Sequence, residues 1–361
     1  MTKPPESYFP ADYRSGRAAF IEACEEADLG VTARVHPIAK GPDGKPLFID
    51  VATIGAREAK TALLLISGTH GVEGYFGSGV ETGLLREGLA RRAHKGAKIV
   101  VLHALNPYGF AWNRRVNEDN ADINRNFVDH AHPPANPAYE SLAEFIAPGS
   151  ISPAAMKKSN ARLRDYAREH GDFALQTAIS AGQYSHTDGL YFGGSNMAWS
   201  AVMLKDVFVE ELAHVKRLIA IDFHTGLGKT GAAEMITEDL PGSAAYARAK
   251  AMWGGLVHSS EAGESLSAPL TGTIDAAVAQ WMKGKELTFA ALEVGTAPLR
   301  DVFGSLRKDN WLHTRAKPGH RGTKAIKREI RAAFYPDTAE WKRAVWAHAQ
   351  EAIDAACTAL A

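Results

Sequence analysis

Two residues with metal-binding side chains, His70 and Glu73, follow an apolar run in the stretch Leu63–Glu73, which reads LLLISGTHGVE. The run has the composition of a buried strand, and the two residues stand three apart where that strand would give way to a loop. An imidazole nitrogen and a carboxylate oxygen at this spacing can both bind one zinc ion. Such a pair also occurs by chance in loops, so the interpretation depends on the rest of the chain.

Three more polar residues end apolar segments further along the chain. They are Asn106 after KIVVLHAL, His224 after RLIAIDF, and Glu293 near the end of TFAALEV. In α/β proteins, ligands collect beyond the carboxyl ends of the strands. We therefore expect these residues to converge with His70 and Glu73 at one edge of a sheet.

His70, Glu73 and His224 together offer two imidazoles and one carboxylate. This set leaves the fourth position of a tetrahedral zinc open for water, which is typical of a catalytic site. Glu293 is then free to act as the general base that takes a proton from the zinc-activated water and passes it to the leaving amine. Asp222, two residues before His224, is a candidate to orient that ligand through its other nitrogen.

A polar segment rich in Asn and Arg, residues 112–127, has no useful periodicity and is predicted to be a functional loop. It contains Arg114, Arg115, Asn124 and Arg125. Guanidinium groups bind carboxylates in bidentate geometry, and amides add donors. An arginine here could also stabilise the oxyanion of a tetrahedral intermediate. The alternative is an Asn-rich loop that braces itself by local hydrogen bonds.

Strand and helix patterns alternate along the chain. Apolar runs predict strands at 46–55, 62–67, 98–105, 217–223, 234–237 and 288–294. Helical spacing predicts helices at 11–28, 75–92, 137–147, 154–181, 199–213 and 242–257, and one from 338 onward. This pattern indicates an α/β fold with a mixed, mostly parallel sheet flanked by helices on both faces. We expect a single domain over residues 1–361, with a helical and loop insertion at about 129–216.

The ordered motifs resemble those of the zinc carboxypeptidase superfamily. The chain has His70-x-x-Glu73, then NPYG at 106–109, Arg115-x-Asn117, DINRNF at 122–127, and the strand-end residues His224 and Glu293. The familiar pattern is H-x-x-E, N-P-D-G, R, D-L-N-R-N-F, H and E. The Gly-rich segment 182–195 is similar to a bacterial branch of that superfamily, grouped near the succinylglutamate desuccinylase and aspartoacylase deacylases.

The resemblance implies a single-domain fold and a set of catalytic roles. His70, Glu73 and His224 would bind one zinc ion per chain, and Glu293 would be the general base. Arg115 would polarise the scissile carbonyl.

The resemblance also implies how the substrate is held. If the motif is aligned one residue earlier, Arg114 takes the place of Arg115 in polarising the carbonyl. Asn124 and Arg125 would hold the terminal carboxylate of the substrate. Ile274, in the segment GTIDAAVAQW, would line the side-chain pocket and suggests an apolar or neutral preference.

The sequence departs from the superfamily pattern at two places. NPYG replaces NPDG, which changes only the chemistry of a turn. No tyrosine lies in 265–273, where the digestive members place a mobile tyrosine. Tyr191 is one candidate to replace it. Whether the protein caps its substrate as an exopeptidase does is therefore not decided by the sequence.

Composition narrows the choice of partners. Lys and Arg together number 41, as do Asp and Glu, so no net charge attracts nucleic acid or an anionic membrane. No secretory signal and no membrane span are visible, so we expect a cytoplasmic protein. The sequence predicts a zinc-dependent hydrolase that cleaves an amide bond next to a free carboxylate in a small peptide. The alternatives are an N-acyl amino acid deacylase and a non-catalytic zinc- or peptide-binding module.

Overall fold

A computed structural model describes residues 3–92 and 96–360 of the chain. Within these ranges the strands are β1 (Val31–Lys40), β2 (Pro46–Gly55), β3 (Thr61–Ile66), β4 (Ala97–His103), β5 (Arg217–Thr225), β6 (Ala233–Thr237), β7 (Val257–Ser259) and β8 (Glu286–Val294). The helices before the long loop are α1 (Tyr13–Glu26), α2 (Gly74–Arg86), α3 (Leu89–Arg92) and α4 (Pro107–Trp112).

The remaining helices follow the Asn- and Arg-rich loop. They are α5 (Pro137–Ile146), α6 (Pro153–His170), α7 (Asp172–Ser180), α8 (Trp199–Val207), α9 (Ala244–Trp253), α10 (Ile274–Trp281), α11 (Leu299–Thr314), α12 (Thr323–Phe334) and α13 (Ala339–Ala359). No helix in the described ranges combines the length and the apolar composition that crossing a membrane requires.

The strands form one sheet in the order β1-β2-β4-β3-β5-β8-β6-β7. The neighbours β4 and β3, β3 and β5, β5 and β8, and β6 and β7 run parallel. The pairs β1 with β2, β2 with β4, and β8 with β6 are antiparallel. The prediction of a mixed, mostly parallel sheet is confirmed, and the carboxyl ends of β3, β5 and β8 lie side by side at one edge.

Helices cover both faces of the sheet, and this explains why its central strands are almost wholly apolar. Successive side chains of a strand point to opposite faces. Leu63 and Leu65 of β3 therefore enter a core layer shared with α1, α2 and α13. Leu64 and Ile66 enter the opposite layer, which α8 and α10 complete. The fold-class prediction is thus confirmed on both faces.

A third apolar cluster lies beside the sheet and joins α5, α6 and α7 to α11 and α12. Each of these helices contributes at least one buried side chain, including Leu142, Leu163, Ile179, Leu306 and Ile330. Helices α5 to α8 fall within the segment 129–216, which the sequence predicts to be an insertion. The organisation of residues 1–361 as a single domain stays a prediction.

Some elements differ from those predicted from the sequence. The helix predicted over 75–92 is interrupted at Gly88, and the helix predicted over 154–181 at Gly171, where φ is +82° and +94°. A residue with positive φ cannot continue a right-handed helix. Strand β1 lies where no strand is predicted, because most of its side chains are exposed and show no apolar alternation. Strand β7 and helices α4, α10, α11 and α12 are likewise additional to the predicted elements.

Candidate active site

The candidate site lies where β3, β5 and β8 end at the same edge of the sheet. His70 and Glu73 follow β3, while His224 and Glu293 are the last residues but one of β5 and β8. The parallel register of β5 and β8 sets His224 opposite Glu293. Gly68 turns the chain out of β3: its φ is +68°, and an added Cβ would lie 3.1 Å from backbone just beyond β4.

Three ligand atoms converge between these strand ends. The Nδ1 atom of His70 lies 3.0 Å from Oε1 of Glu73. The Nδ1 atom of His224 lies 3.1 Å from Nδ1 of His70 and 3.1 Å from Oε2 of Glu73. Within the described ranges these three side chains are the only group of His, Cys, Asp and Glu whose ligand atoms gather closely enough to hold a metal ion. The predicted metal ligands are therefore brought together, and all three are buried.

The far nitrogen of each imidazole is held by a carboxylate. Nε2 of His224 lies 2.8 Å from Oδ2 of Asp222, whose carboxylate also accepts a hydrogen bond from the Thr69 hydroxyl. Nε2 of His70 lies 3.2 Å from Oδ1 of Asp122. Metal-binding histidines are usually oriented in this way. With two imidazole nitrogens and one carboxylate facing a common point, the residues present fit a zinc ion.

The two carboxyl groups at this edge have opposite protonation preferences. Burial raises the pKa of Glu293 to about 8, and the negative charge of Glu73 adds to the rise. Burial also favours neutral Glu73, but the charges and hydrogen bonds of His70 and His224 outweigh it and lower the pKa of that carboxyl. Burial thus favours the protonated form of Glu293, while the neighbouring imidazoles favour the ionised form of Glu73.

Arg115 lies against the metal ligands. Its guanidinium donates to Asp122 at 2.9 Å and to Glu73 at 3.3 Å, and one terminal nitrogen lies 2.7 Å from Nε2 of His70. Asp122 and Glu73 stabilise the charged form enough to raise the pKa of Arg115, although burial acts in the opposite direction. This places a permanent positive charge beside the point where the three ligand atoms meet.

Arg125 and Asn124 line the same cavity as the metal ligands. The Arg125 guanidinium donates to the carbonyl of Ser180 at 2.9 and 2.7 Å and to the carbonyl of Asn124 at 2.7 Å. The side-chain oxygen of Asn124 accepts from the amide of Ile274 at 2.8 Å. Part of this pair's hydrogen-bonding capacity therefore braces the loop, and the remainder faces the cavity.

Two other predicted residues lie elsewhere. Arg114 is 3% exposed and donates to Asp309 at 3.2 Å and to Asn120 at 2.9 Å, away from the lining of the cavity. Ile274 is 1% exposed and packs into the core layer under the sheet. Adjacent side chains point in different directions, so Arg115 faces the cavity where Arg114 does not.

The cavity has a volume of about 730 Å³ and includes residues that the sequence patterns do not single out. Asp275 and Glu238 line it, and burial raises the pKa of both carboxyls. The charge of Glu238 adds to the rise at Asp275, and the charge of Glu261 adds to the rise at Glu238. Tyr191 also lines it, with its ring 5.2 Å from the Arg115 guanidinium carbon and 5.7 Å from that of Arg125. Its φ of +54° in the Gly-rich loop 182–195 turns it towards these arginines. Tyr191 thus lies in the cavity. The sequence names it as a candidate but does not predict its position.

Comparison with solved structures identifies the class of fold. The chain is similar to the carboxypeptidase A of Helicoverpa armigera at 12% identity, over 94% of this chain and 73% of that one, with a TM-score of 0.50. A metallo-carboxypeptidase of Burkholderia cenocepacia matches at 14% identity over 90% and 69%, with a TM-score of 0.41. The succinylglutamate desuccinylase of Chromobacterium violaceum matches at 15% identity over 87% and 71%, with a TM-score of 0.39.

The chain therefore has the fold of the Helicoverpa armigera carboxypeptidase A, as the resemblance in motif order predicts. The particular family follows from the sequence itself: the chain belongs to the family described as protein of unknown function (DUF2817), whose sequence model matches residues 9–348. No curated protein matches the chain.

Proposed function

We propose that this protein is a zinc-dependent hydrolase that cleaves an amide bond next to a free carboxylate, in the manner of a carboxypeptidase. One observation carries the proposal. The ligand atoms of His70, Glu73 and His224 meet in a cavity that Glu293 and Arg115 also line. A metal-binding set, a carboxyl that can exchange a proton and a fixed positive charge are the groups that amide hydrolysis requires.

When bound, zinc supplies a Lewis acid that polarises a carbonyl and lowers the pKa of water. Glu293 accepts a proton from the attacking water as the carbon–oxygen bond forms. It then delivers this proton to the amine nitrogen as the carbon–nitrogen bond breaks. Burial of Glu293 helps the carboxyl to hold the proton between the two steps.

Two further parts of the substrate have their own binding residues. Arg115 acts on the scissile carbonyl, and Asn124 and Arg125 act on the free carboxylate. The Arg115 charge stabilises the oxyanion that develops on the carbonyl oxygen. A guanidinium has five N–H groups, and the bonds of Arg125 to the carbonyls of Ser180 and Asn124 leave part of them for a substrate carboxylate. The amide of Asn124 adds a donor beside it.

A second candidate is an N-acyl amino acid deacylase that uses the same residues on a different substrate. It is favoured by the apolar side chains with which α6, α7 and α11 line the cavity. A substrate screen that contains both peptides and N-acyl amino acids separates the two functions.

The test combines metal analysis with that screen. We expect one zinc ion per chain, and hydrolysis that falls by about a hundred- to ten-thousandfold in Glu293→Gln while zinc is retained. Glu286→Gln, at the other end of β8, is the matched control and should behave as wild type. Full activity of zinc-loaded Glu293→Gln would contradict the proposed mechanism. Absence of metal, with no effect of His70→Ala, would contradict the proposal as a whole.

Dependence on the free carboxylate is tested with the same substrates after C-terminal amidation. We expect a sharply raised KM or no turnover, because Asn124 and Arg125 lose the charge they bind. Equal turnover of amidated and free substrates would contradict carboxypeptidase-like recognition.

A further inference from the structure

One side of the cavity is built from helices. Its lining combines apolar side chains with the polar residues Asn160, Arg164, Asp172, Gln176, Arg300 and Arg307. Helices α6, α7 and α11 contribute Leu163, Leu175, Ile179, Val302, Phe303 and Leu306 to its lining. The opposite side is the sheet edge, with its imidazoles, carboxylates and guanidinium groups. We call the part of the cavity lined by these six side chains the helical chamber.

The helical chamber is continuous with the metal-binding cluster, because the six apolar side chains line the same 730 Å³ cavity as His70, Glu73 and His224. Hydrocarbon side chains offer no partner to a polar group, and a polar group buried without one is penalised. The six side chains of the chamber therefore favour an apolar part of a ligand.

A buried arginine joins the helices that line the chamber. Arg307 of α11 is 1% exposed, and it donates to the carbonyl of Ile146 at 3.1 Å, to that of Phe145 at 2.8 Å and to the side-chain oxygen of Asn160 at 2.6 Å. It also donates to the hydroxyl of Ser159. These bonds tie α11 to α5 and α6.

Gly304 adds to the space inside the chamber. It lines the cavity from α11, and a Cβ added there would meet no atom within 4 Å. Glycine is disfavoured within a helix. At this position the absence of a side chain leaves free space but lowers the helix propensity of α11. It also offers a way to fill the chamber without a clash.

We propose that the helical chamber binds a large hydrocarbon acyl group, so that the substrates are amino acids carrying a long or bulky N-acyl chain. This inference rests on the proposed function, in which Asn124 and Arg125 take the carboxylate of the amino acid. The helical chamber lines the same cavity and is available to the group across the scissile amide.

The first test varies only the acyl group. On one common amino acid, acyl chains from acetyl to dodecanoyl are compared by kcat/KM. Burial of a methylene contributes enough to raise kcat/KM by about fourfold for each one added, until the chamber is filled. A flat or falling series overturns the proposal, whereas the proposed hydrolase function would survive through its activity on the acetyl substrate.

The second test measures binding without turnover. N-dodecanoylglycine, kept below its micelle-forming concentration, is titrated calorimetrically into Glu293→Gln beside N-acetylglycine. At least a hundredfold tighter binding of the dodecanoyl compound supports the chamber even if no amide is hydrolysed by wild type, an outcome that would reject the hydrolase function alone. Equal affinities overturn the chamber proposal.

A space-filling variant locates the effect. Gly304→Phe should lower the ratio of dodecanoyl to acetyl activity, and the affinity of Glu293→Gln for N-dodecanoylglycine, by at least tenfold. Gly255→Phe is the matched control, since a Cβ at Gly255 also meets no atom within 4 Å and this residue is outside the cavity lining. If Gly304→Phe leaves both quantities at the control values, the chamber is not the acyl site.

Discussion

The two walls of the cavity are built on different principles. At the sheet edge the polar side chains have polar partners. Asp222 lies against His224 and Asp122 against His70, while the backbone amides of Thr225 and Leu227 donate to Glu73 and Glu293 at 3.0 and 2.9 Å. The helical wall presents hydrocarbon to the cavity and depends on packing and on one buried cation. Under the proposed function, the sheet edge would carry out the reaction and the helical wall would select the substrate.

The largest effect is expected from breaking the helical wall. Arg307→Met leaves the carbonyls of Phe145 and Ile146 without their partner, and buried acceptors in that state cost stability. We expect the free energy of unfolding to fall by about 2–4 kcal/mol in urea denaturation, with zinc affinity unchanged. Arg300→Met on the same helix is the control, because that side chain is 87% exposed and its loss should change stability by less than about 0.5 kcal/mol.

A parallel loss of zinc affinity in Arg307→Met would show that the two walls are not independent. Stability equal to wild type would show that packing alone holds α11 in place.

A smaller effect is expected when the sheet edge is loosened without removing a ligand. Asp222→Asn keeps the shape of the side chain but loses the charge that orients His224. We expect zinc affinity to fall by about ten- to hundredfold, measured by competition with a chelating dye. Asp275→Asn, in the same cavity, should bind zinc as wild type does. Equal affinity of all three proteins would mean that packing, and not Asp222, orients the ligand.

The smallest effect concerns acid stability at the far side of the helical wall. Burial and the nearby charge of Arg114 lower the pKa of His313 in α11 to about 3, from an ordinary value of 6.5. Below pH 6.5 the unfolded chain therefore binds a proton that the folded chain does not, and stability is lost as the pH falls from about 6.5 towards 3. At pH 5 the loss amounts to about 1–2 kcal/mol.

His313→Gln should remove this part of the acid sensitivity in urea denaturation at pH 7.5 and pH 5. His132→Gln is the control, because that side chain is 86% exposed. If both variants lose as much stability between the two pH values as wild type does, the charge on His313 is not the cause.

The sequence predicts the sheet edge far better than the helical wall, for physical reasons. Only a few residue types bind zinc, and parallel strands must end at a common edge, so His70, Glu73 and His224 could be recognised and expected to converge. The roles assigned to them, and to Arg115, Asn124, Arg125 and Glu293, stay predictions until activity is measured.

The directions of single side chains could not be predicted. Whether Arg114 or Arg115 faces the cavity depends on the path of a loop without periodicity. Ile274 enters the core because of the rotation of α10, and its neighbour Asp275 lines the cavity instead. The helical wall could not be predicted for another reason. The pattern of an amphipathic helix shows that one face is buried, but it does not show which element covers that face.

The order of the strands also governs when the site can exist during folding. His70 and His224 lie 154 residues apart in sequence, yet their strands are neighbours in the sheet. No fragment shorter than residues 70–293 contains both the ligands and the base. Because an ion that binds only the complete site stabilises only the folded chain, each tenfold excess of zinc over its dissociation constant would add about 1.4 kcal/mol. Metal occupancy would then report that synthesis and folding of the chain had reached β5, which carries His224.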